Sequence, residues 1–230
     1  LNIHGFTKTT LLDYPGIVAS TVFTAGCSFR CPFCHNGDLV LNPDKYPHIS
    51  EEEILAHLKK RRNICRGVCI SGGEPTLSPD LSDFMIKIKE LDILIKLDTN
   101  GYQPDVLEKV IKNKLVDYVA MDIKAGHDNY SKAAGIPVDI KKISKSIDIL
   151  SSSFIEHEFR TTCVKGIHSS GDFEDIAGWL PNTSRYYLQN FRLCDTVIDK
   201  SLDAFDKSEL LVFLDIVKGR IPGALLRGID

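Results

Sequence analysis

Apolar positions along the chain switch repeatedly between two periods, and that switching predicts the architecture. Runs rich in Val, Ile, Thr and Phe at residues 17–24, 67–71, 93–97, 116–123, 157–164 and 185–191 read as six strands. Between them apolar residues recur at helical spacing. Ser50-Glu51-Glu52-Glu53 is a capping box that opens a helix to about Arg62. Ser78-Pro79 supplies an N-cap and a proline at the first helical position, and the helix it predicts carries Leu81, Phe84, Met85 and Ile88 on one face to about Leu91. Helices follow over 104–115, 139–150 and 173–180, and Asp206-Lys207-Ser208-Glu209 caps a last one that ends near Gly219.

Strands alternating with helices imply a parallel sheet with helical crossovers. Six such units, with no second dinucleotide-binding half, predict an α/β fold: an open, incomplete (β/α)6 barrel over residues 1–192. Residues 193–230 are expected as a C-terminal extension packing on it. In folds of this kind the chemistry sits at the C-terminal ends of the strands. The polar motifs fall there. Cys27 to Cys34 follow the first strand, Gly72-Gly73-Glu74 the second and Asp98-Thr99-Asn100 the third, while Asp122 and Lys124 close the fourth. All are therefore expected on one rim.

Composition narrows the function classes. The chain is 43% hydrophobic and 26% charged with a net charge of −3, an ordinary balance for a globular protein. Its one dense basic run, Lys59-Lys60-Arg61-Arg62, ends a helix, where cations offset the dipole, so no nucleic-acid partner is expected. No apolar run reaches the length of about 18 residues that a membrane helix needs, and no charged-then-apolar leader pattern is seen. The expected compartment is cytoplasmic, where thiols stay reduced. Seven cysteines, an odd number, also speak against a disulfide framework.

Three of those cysteines carry the chemistry. Cys27, Cys31 and Cys34 have the spacing C-x3-C-x2-C. Three soft thiolates within eight residues can wrap one face of an iron–sulfur cluster and leave one iron without a protein ligand. An open coordination position lets a cluster bind a substrate as well as hold an electron. Zinc held by Cys27, Cys31, Cys34 and His35 is the alternative, although adjacent Cys34 and His35 turn to one ion awkwardly. Cys65 and Cys69 form a second C-x3-C, but Cys69 falls in a strand, as does Cys163, and Cys194 lies after the sixth strand; no pair among these repeats cluster spacing.

The segment Cys27-Ser28-Phe29-Arg30-Cys31-Pro32-Phe33-Cys34-His35-Asn36 resembles the signature of the radical S-adenosylmethionine (SAM) superfamily. Asp13-Tyr14-Pro15-Gly16 before it and His35-Asn36 at its end resemble the glycyl-radical-enzyme activating enzymes, in particular the short ones that serve anaerobic ribonucleotide reductase or pyruvate formate-lyase. The resemblance covers most of residues 8–192. It implies an oxygen-sensitive [4Fe–4S] cluster on Cys27, Cys31 and Cys34, with SAM on the fourth iron. Reductive cleavage of SAM would then yield a radical that takes hydrogen from a glycine Cα of a partner enzyme. It further implies Phe33 near the adenine, beside Cys34 and His35, and SAM contacts from Gly72, Gly73 and Glu74, Asp98, Thr99 and Asn100, and Asp122 and Lys124. In such enzymes carboxylates at the last two motifs can hold a monovalent cation, placing one near Asp98 and Asp122. A flavodoxin or ferredoxin is the expected electron donor.

The residues themselves fit these roles and also blander ones. Gly-Gly before Glu-Pro is good turn chemistry without a ligand, and Asp122 and Lys124 could form a plain ion pair. His168 lies near a loop where a relative has a SAM-contacting histidine, but its offset differs and no role is assigned. Two other functions stay open: a radical SAM enzyme acting on a small molecule, and a non-catalytic iron–sulfur or zinc protein. The first lacks support from any insert in the cysteine loop; the second would make no demand on Gly72-Gly73-Glu74.

Overall fold

The computed structural model describes residues 1–228. Among them eight strands form one sheet in chain order: β1 (Ile3–Thr10), β2 (Ala19–Thr24), β3 (Gly67–Gly72), β4 (Leu94–Thr99), β5 (Tyr118–Asp122), β6 (Glu156–Cys163), β7 (Tyr186–Asn190) and β8 (Leu225–Arg227). Neighbours from β2 to β8 are parallel, and β1 alone runs antiparallel, against β2. β1 pairs only with β2 and β8 only with β7, so the sheet stays open between its first and last strands. The six expected strands are β2–β7. The other two, β1 and β8, extend the expected open parallel sheet at its two edges, β1 antiparallel to its neighbour. β1 has little apolar alternation and an exposed end, and β8 is only three residues long, so neither carries a strong pattern.

The described residues form eight helices: α1 (Gly37–Leu41), α2 (Glu51–Arg61), α3 (Leu81–Lys89), α4 (Pro104–Lys112), α5 (Tyr130–Ala134), α6 (Ile140–Ser152), α7 (Ser170–Trp179) and α8 (Lys207–Lys218); short α1 and α5 pack by the cysteine loop. The caps read from the sequence close α2 and α8. Ser50 accepts from the Glu53 N–H at 3.2 Å, and Asp206 and Glu209 cap each other's backbone. α3 starts later than Ser78-Pro79 suggested. Pro75–Leu77 forms a single tight turn capped by Glu74, and Ser78 is extended, so the helix begins at Leu81. α7 starts earlier than residue 173 because Ser169 and Asp172 make a capping box of their own.

Strand alternation divides the protein into two interiors. Outward side chains Val68, Ile70, Ile95, Leu97, Val119, Met121, Phe159 and Leu188 are fully buried and join Phe84, Ile88, Leu107, Val110, Ile143 and Phe173 of the helices in one apolar layer. Each such residue contributes roughly 1.5–3 kcal/mol by leaving water. The concave face differs. Register sets Thr21, Cys69, Lys96 and Tyr118 side by side across β2–β5, and Asp122 beside Arg160 on β5 and β6. Here charge is buried: Lys96 and Glu158 are 2% and 1% exposed. Buried charge is tolerated only when paired. Glu158 accepts from the Tyr118 hydroxyl at 2.9 Å and from both terminal nitrogens of Arg227 at 2.8 and 3.0 Å. The Arg227 guanidinium lies 3.7 Å from the centre of the Tyr187 ring. One carboxylate therefore ties β5 and β6 to β8, and β8 back to β7.

That tie makes a stability contrast. Glu158→Ala leaves Arg227 and the Tyr118 hydroxyl without their acceptor and is expected to cost about 3 kcal/mol, the lower end for a broken buried pair because Arg227 is partly exposed. Lys112→Ala removes only the exposed Glu108–Lys112 pair on α4 and should stay within about 0.5 kcal/mol. Urea denaturation of the two variants checks the contrast; equal midpoints would show that the concave-face tie adds nothing.

Candidate active site

The site grows from the loops that leave the parallel strands. The loop after β2 carries Cys27, Cys31 and Cys34, the loop after β3 carries Gly73 and Glu74, β4 ends in Asp98 and Thr99 with Asn100 next, and β5 ends at Asp122 with Lys124 two residues on. Side chains or backbone of all of these line one cleft, together with Phe33 and His35. Every residue singled out for the site therefore lies at one place. The cleft also includes residues to which the sequence assigned no role: Asn36 and Ser71, which lie beside the motifs, and Arg160 and Thr162, which lie in none. The signal for the last two was present as alternation. Glu158, Arg160 and Thr162 sit two apart in β6, with Phe159, Thr161 and Cys163 facing the apolar layer.

The cysteine loop is fastened on three sides. Asn36 donates its amide to the Gly72 carbonyl at 2.8 Å, the Glu74 N–H donates to the Gly26 carbonyl at 2.8 Å, and the Asp199 N–H donates to the Pro32 carbonyl at 2.8 Å. The last bond comes from the segment between β7 and α8, which also touches the His35 carbonyl through Thr196. Gly72 has φ +114°, where a side chain would be strained and would strike the backbone of Thr24. A Cβ on Gly73 would collide with the Gly26 carbonyl. The glycine pair therefore serves a close approach of two loops of the protein, beyond any approach of a ligand.

Glu74 does structural work at the same junction. It is 2% exposed and accepts from the Thr76 N–H (3.1 Å) and hydroxyl (2.5 Å), the Thr99 hydroxyl (2.8 Å) and the Asn100 N–H (2.6 Å). Burial pushes its pKa up, and these four donors pull it back. Its oxygens are engaged by the chain, so it locks the loop after β3 to the end of β4. A ligand in the cleft would meet the loop's backbone ahead of this carboxylate.

The three thiols suit a cluster. Burial raises Cys27 to about 12 and Cys31 to about 11, and lifts Cys34 in the same direction; Lys124 pulls all three back, while Glu74 lifts Cys27 further. Thiolates here need more positive charge than the chain provides, which iron would supply. N–H groups already point at sulfur: Phe29 N–H lies 3.3 Å and the Asn100 amide 3.7 Å from Cys27 Sγ. Such donors tune a cluster. Among the described residues no three His, Cys, Asp or Glu side chains converge on one point as a single ion requires. The His35 ring is turned away, 2.8 Å from the Arg192 carbonyl and against Phe191. The four-ligand zinc set with His35 is thus not assembled. A cluster, with irons at separate corners, makes no such demand.

Beside the thiols stands a charge network. Arg160 donates from Nε to Asp122 at 2.9 Å and reaches Asp98 at 3.7 Å. Lys124 holds the other Asp122 oxygen at 3.0 Å, buried Lys96 pairs with Asp98, and the Ser71 hydroxyl donates to Asp98 at 3.0 Å. Burial works to raise both carboxyls, but Arg160 with the lysines overrides it, lowering Asp98 and bringing Asp122 to about 2. Both are anions across the working pH range. Each of the four carboxylate oxygens meets a protein donor. Phe33 is buried with its ring 6.0 Å from that of His168. His168 itself bridges the Lys124 carbonyl (2.7 Å) and the Val164 N–H (3.0 Å), so it braces the turn that carries Lys124. No helix among the described residues is long and apolar enough to cross a membrane.

Known proteins resemble the chain over most of its length. The model of the radical SAM superfamily matches residues 21–180. A Methanocaldococcus jannaschii protein, provisionally named a glycyl-radical enzyme activating enzyme, is 34% identical over 99% of this chain and 96% of its own length. The pyruvate formate-lyase-activating enzyme of Clostridium pasteurianum is 36% identical over 55% of this chain; the chain spans about half of that enzyme, 54%. Among solved structures, TYW1 with a lysine-pyruvate adduct bound superposes with a TM-score of 0.63 at 18% identity, covering 89% of this chain and 75% of that one.

The Gly73–Gly26 contact changes what a glycine variant should do. From the sequence alone, a side chain at Gly73 would weaken SAM binding and spare the cluster. With the cysteine loop directly beneath it, Gly73→Val is expected to lower iron per chain after anaerobic reconstitution as well. A full complement of iron with weakened SAM binding would show the loops to be independent.

Proposed function

The chain belongs to the radical SAM superfamily and, within it, to the glycyl-radical enzyme activating enzymes, and from that premise we propose that it cleaves SAM at a [4Fe–4S] cluster to install a glycyl radical on a partner such as anaerobic ribonucleotide reductase. One observation carries the reading: three free cysteines share a cleft with the glycine-pair loop and with a lysine–arginine–aspartate network. Three thiolates, not four, come from the signature loop. In this reading Cys27, Cys31 and Cys34 would hold the cluster, which would supply the one electron that breaks a sulfonium S–C bond of SAM, giving methionine and a deoxyadenosyl radical able to take a hydrogen atom from an unactivated C–H bond.

The chain's own residues do the rest. The backbone of Gly72 and Gly73 offers the amino end of SAM a surface without side chains. Lys124 presents an ammonium to its carboxylate, held by Asp122 and braced through its carbonyl by His168. Phe33 places an aromatic face on the cleft for the adenine. Thr99 and Asn100 are fixed by Glu74, and the Asn100 amide reaches Cys27 sulfur. The sheet, open between β1 and β8, leaves a flank by which an extended peptide loop can reach the concave face. Glycine suits such a loop because nothing on its Cα blocks approach. An electron carrier of the flavodoxin or ferredoxin class is the matching donor.

The test uses anaerobically reconstituted protein with SAM and dithionite. The wild type should form 5′-deoxyadenosine, and adding a glycyl radical enzyme should raise a glycyl radical signal in electron paramagnetic resonance. Cys31→Ala should lose cluster absorbance and SAM cleavage together, since two thiolates hold a cluster poorly. Deoxyadenosine from Cys31→Ala would overturn the ligand set. Cleavage without any glycyl signal would move the substrate from a protein to a small molecule.

A further inference from the structure

We propose that the Tyr130 hydroxyl donates a hydrogen bond to a sulfur at the Cys31 corner of the cluster and so holds the cluster's reduction potential up. The inference rests on the reading of Cys27, Cys31 and Cys34 as cluster ligands, but its observation is separate. Tyr130 is 0% exposed, and its hydroxyl makes no hydrogen bond within the protein. Buried hydroxyls are almost always paired, so one left over calls for an acceptor. The backbone brings this one to the cysteine loop. Tyr130 opens α5, and the far end of that short helix is fastened to the loop: the Arg30 N–H donates to the Ala134 carbonyl at 2.8 Å. Gly135, at φ +70°, passes so close that a Cβ there would strike the Arg30 carbonyl. Cys31 is the next residue. The Tyr130 ring is wedged between Phe29 and Trp179, with ring centres 6.5 and 6.0 Å away. Tyr130 does not line the cleft, so it approaches the loop from the protein side, away from the space for SAM.

The groups that act on the phenol identify the acceptor. Burial raises its pKa, the Lys124 ammonium and the Lys124 N–H pull it back, and Cys31 and Asp122 push it up further. The two Lys124 groups are donors and offer nothing to an O–H. The N–H faces the phenol oxygen without closing a hydrogen bond, which leaves the hydroxyl proton pointing elsewhere. Asp122 is already an anion and still receives nothing from Tyr130. Cys31 is different, because its charge changes when iron arrives. A neutral thiol is a weak acceptor, whereas a thiolate or sulfide bound to iron carries negative charge and accepts strongly. Cluster assembly therefore creates the partner that the hydroxyl lacks. Reduction then adds an electron to the acceptor, so the bond strengthens in the reduced state and raises the potential. Reductive cleavage of SAM starts from that reduced state, and Tyr130 makes it easier for an electron donor to reach.

The experiment compares the wild type with Tyr130→Phe, both reconstituted anaerobically with iron and sulfide and kept free of SAM. Iron per chain should be equal, because phenylalanine keeps the ring between Phe29 and Trp179. A redox titration followed by electron paramagnetic resonance should find the variant's reduced cluster about tenfold less favoured, a fall of about 59 mV for one electron. Electron–nuclear double resonance of the reduced clusters in H2O and D2O should show one exchangeable proton coupled to the wild-type cluster that the variant lacks. A merely structural tyrosine would change folding or iron content and leave potential and coupling alone. At equal iron content, an unchanged potential or an unchanged set of proton couplings would overturn the proposal. If Tyr130→Phe folds poorly or takes up less iron, 3-fluorotyrosine placed at position 130 decides. Its phenol is nearly the same size and a stronger donor, so the potential should rise above that of the wild type, and no rise would overturn the proposal. A wild type that fails to cleave SAM while the potential shift is present would remove the functional reading and leave Tyr130 its role; a wild type that takes up no iron would remove both.

Discussion

The concave face of the sheet carries charge, and a charge taken from bulk water must meet its opposite. That constraint organises the protein from β4 to β8. Lys96 pairs with Asp98, Asp98 with Arg160, Arg160 with Asp122, Asp122 with Lys124, and Glu158 with Arg227. The members sit on four strands, so satisfying each one fixes the strands relative to their neighbours. The apolar layer under the helices supplies the bulk of the stabilisation, but it would hold many sheets of similar size. The charged face allows few, because a strand shifted by one residue would turn these side chains into the apolar layer.

The same network ends at the rim, where Lys124 influences all three cluster-candidate thiols and the Asp122 carboxylate. Function thus shares its groups with the fold. Glu74 belongs to this economy. Its carboxylate joins two loops, and the approach of Gly73 to Gly26 joins one of them to the cysteine segment. The segment between β7 and α8 closes the other side through Asp199 and Thr196. Three elements far apart in the chain therefore converge on ten residues that carry the cysteines.

Much of this was legible from sequence. Strands β2–β7 announce themselves by β-branched runs, and the N-caps at Ser50 and Asp206 mark helix starts to within a residue. The rim follows from parallel topology alone: motifs after successive strands must share one end of the sheet. What stayed hidden depends on partners distant in sequence. β1 and β8 are short or exposed, and their pairing, not their composition, makes them strands. Arg160 lies in no motif, and only the register of β5 and β6 shows that it meets Asp122. Glu74, read as a ligand contact, turns out to be enclosed because Thr76, Thr99 and Asn100 arrive from two separate loops.

The account turns on an iron that the polypeptide leaves for SAM to bind. Electron–nuclear double resonance on the reduced cluster, with SAM labelled at its amino nitrogen and carboxylate oxygen, addresses that iron directly. The account predicts hyperfine coupling of both labels to the cluster. A cluster signal indifferent to SAM, with a fourth ligand drawn from Cys65, Cys69, Cys163 or Cys194, would contradict it.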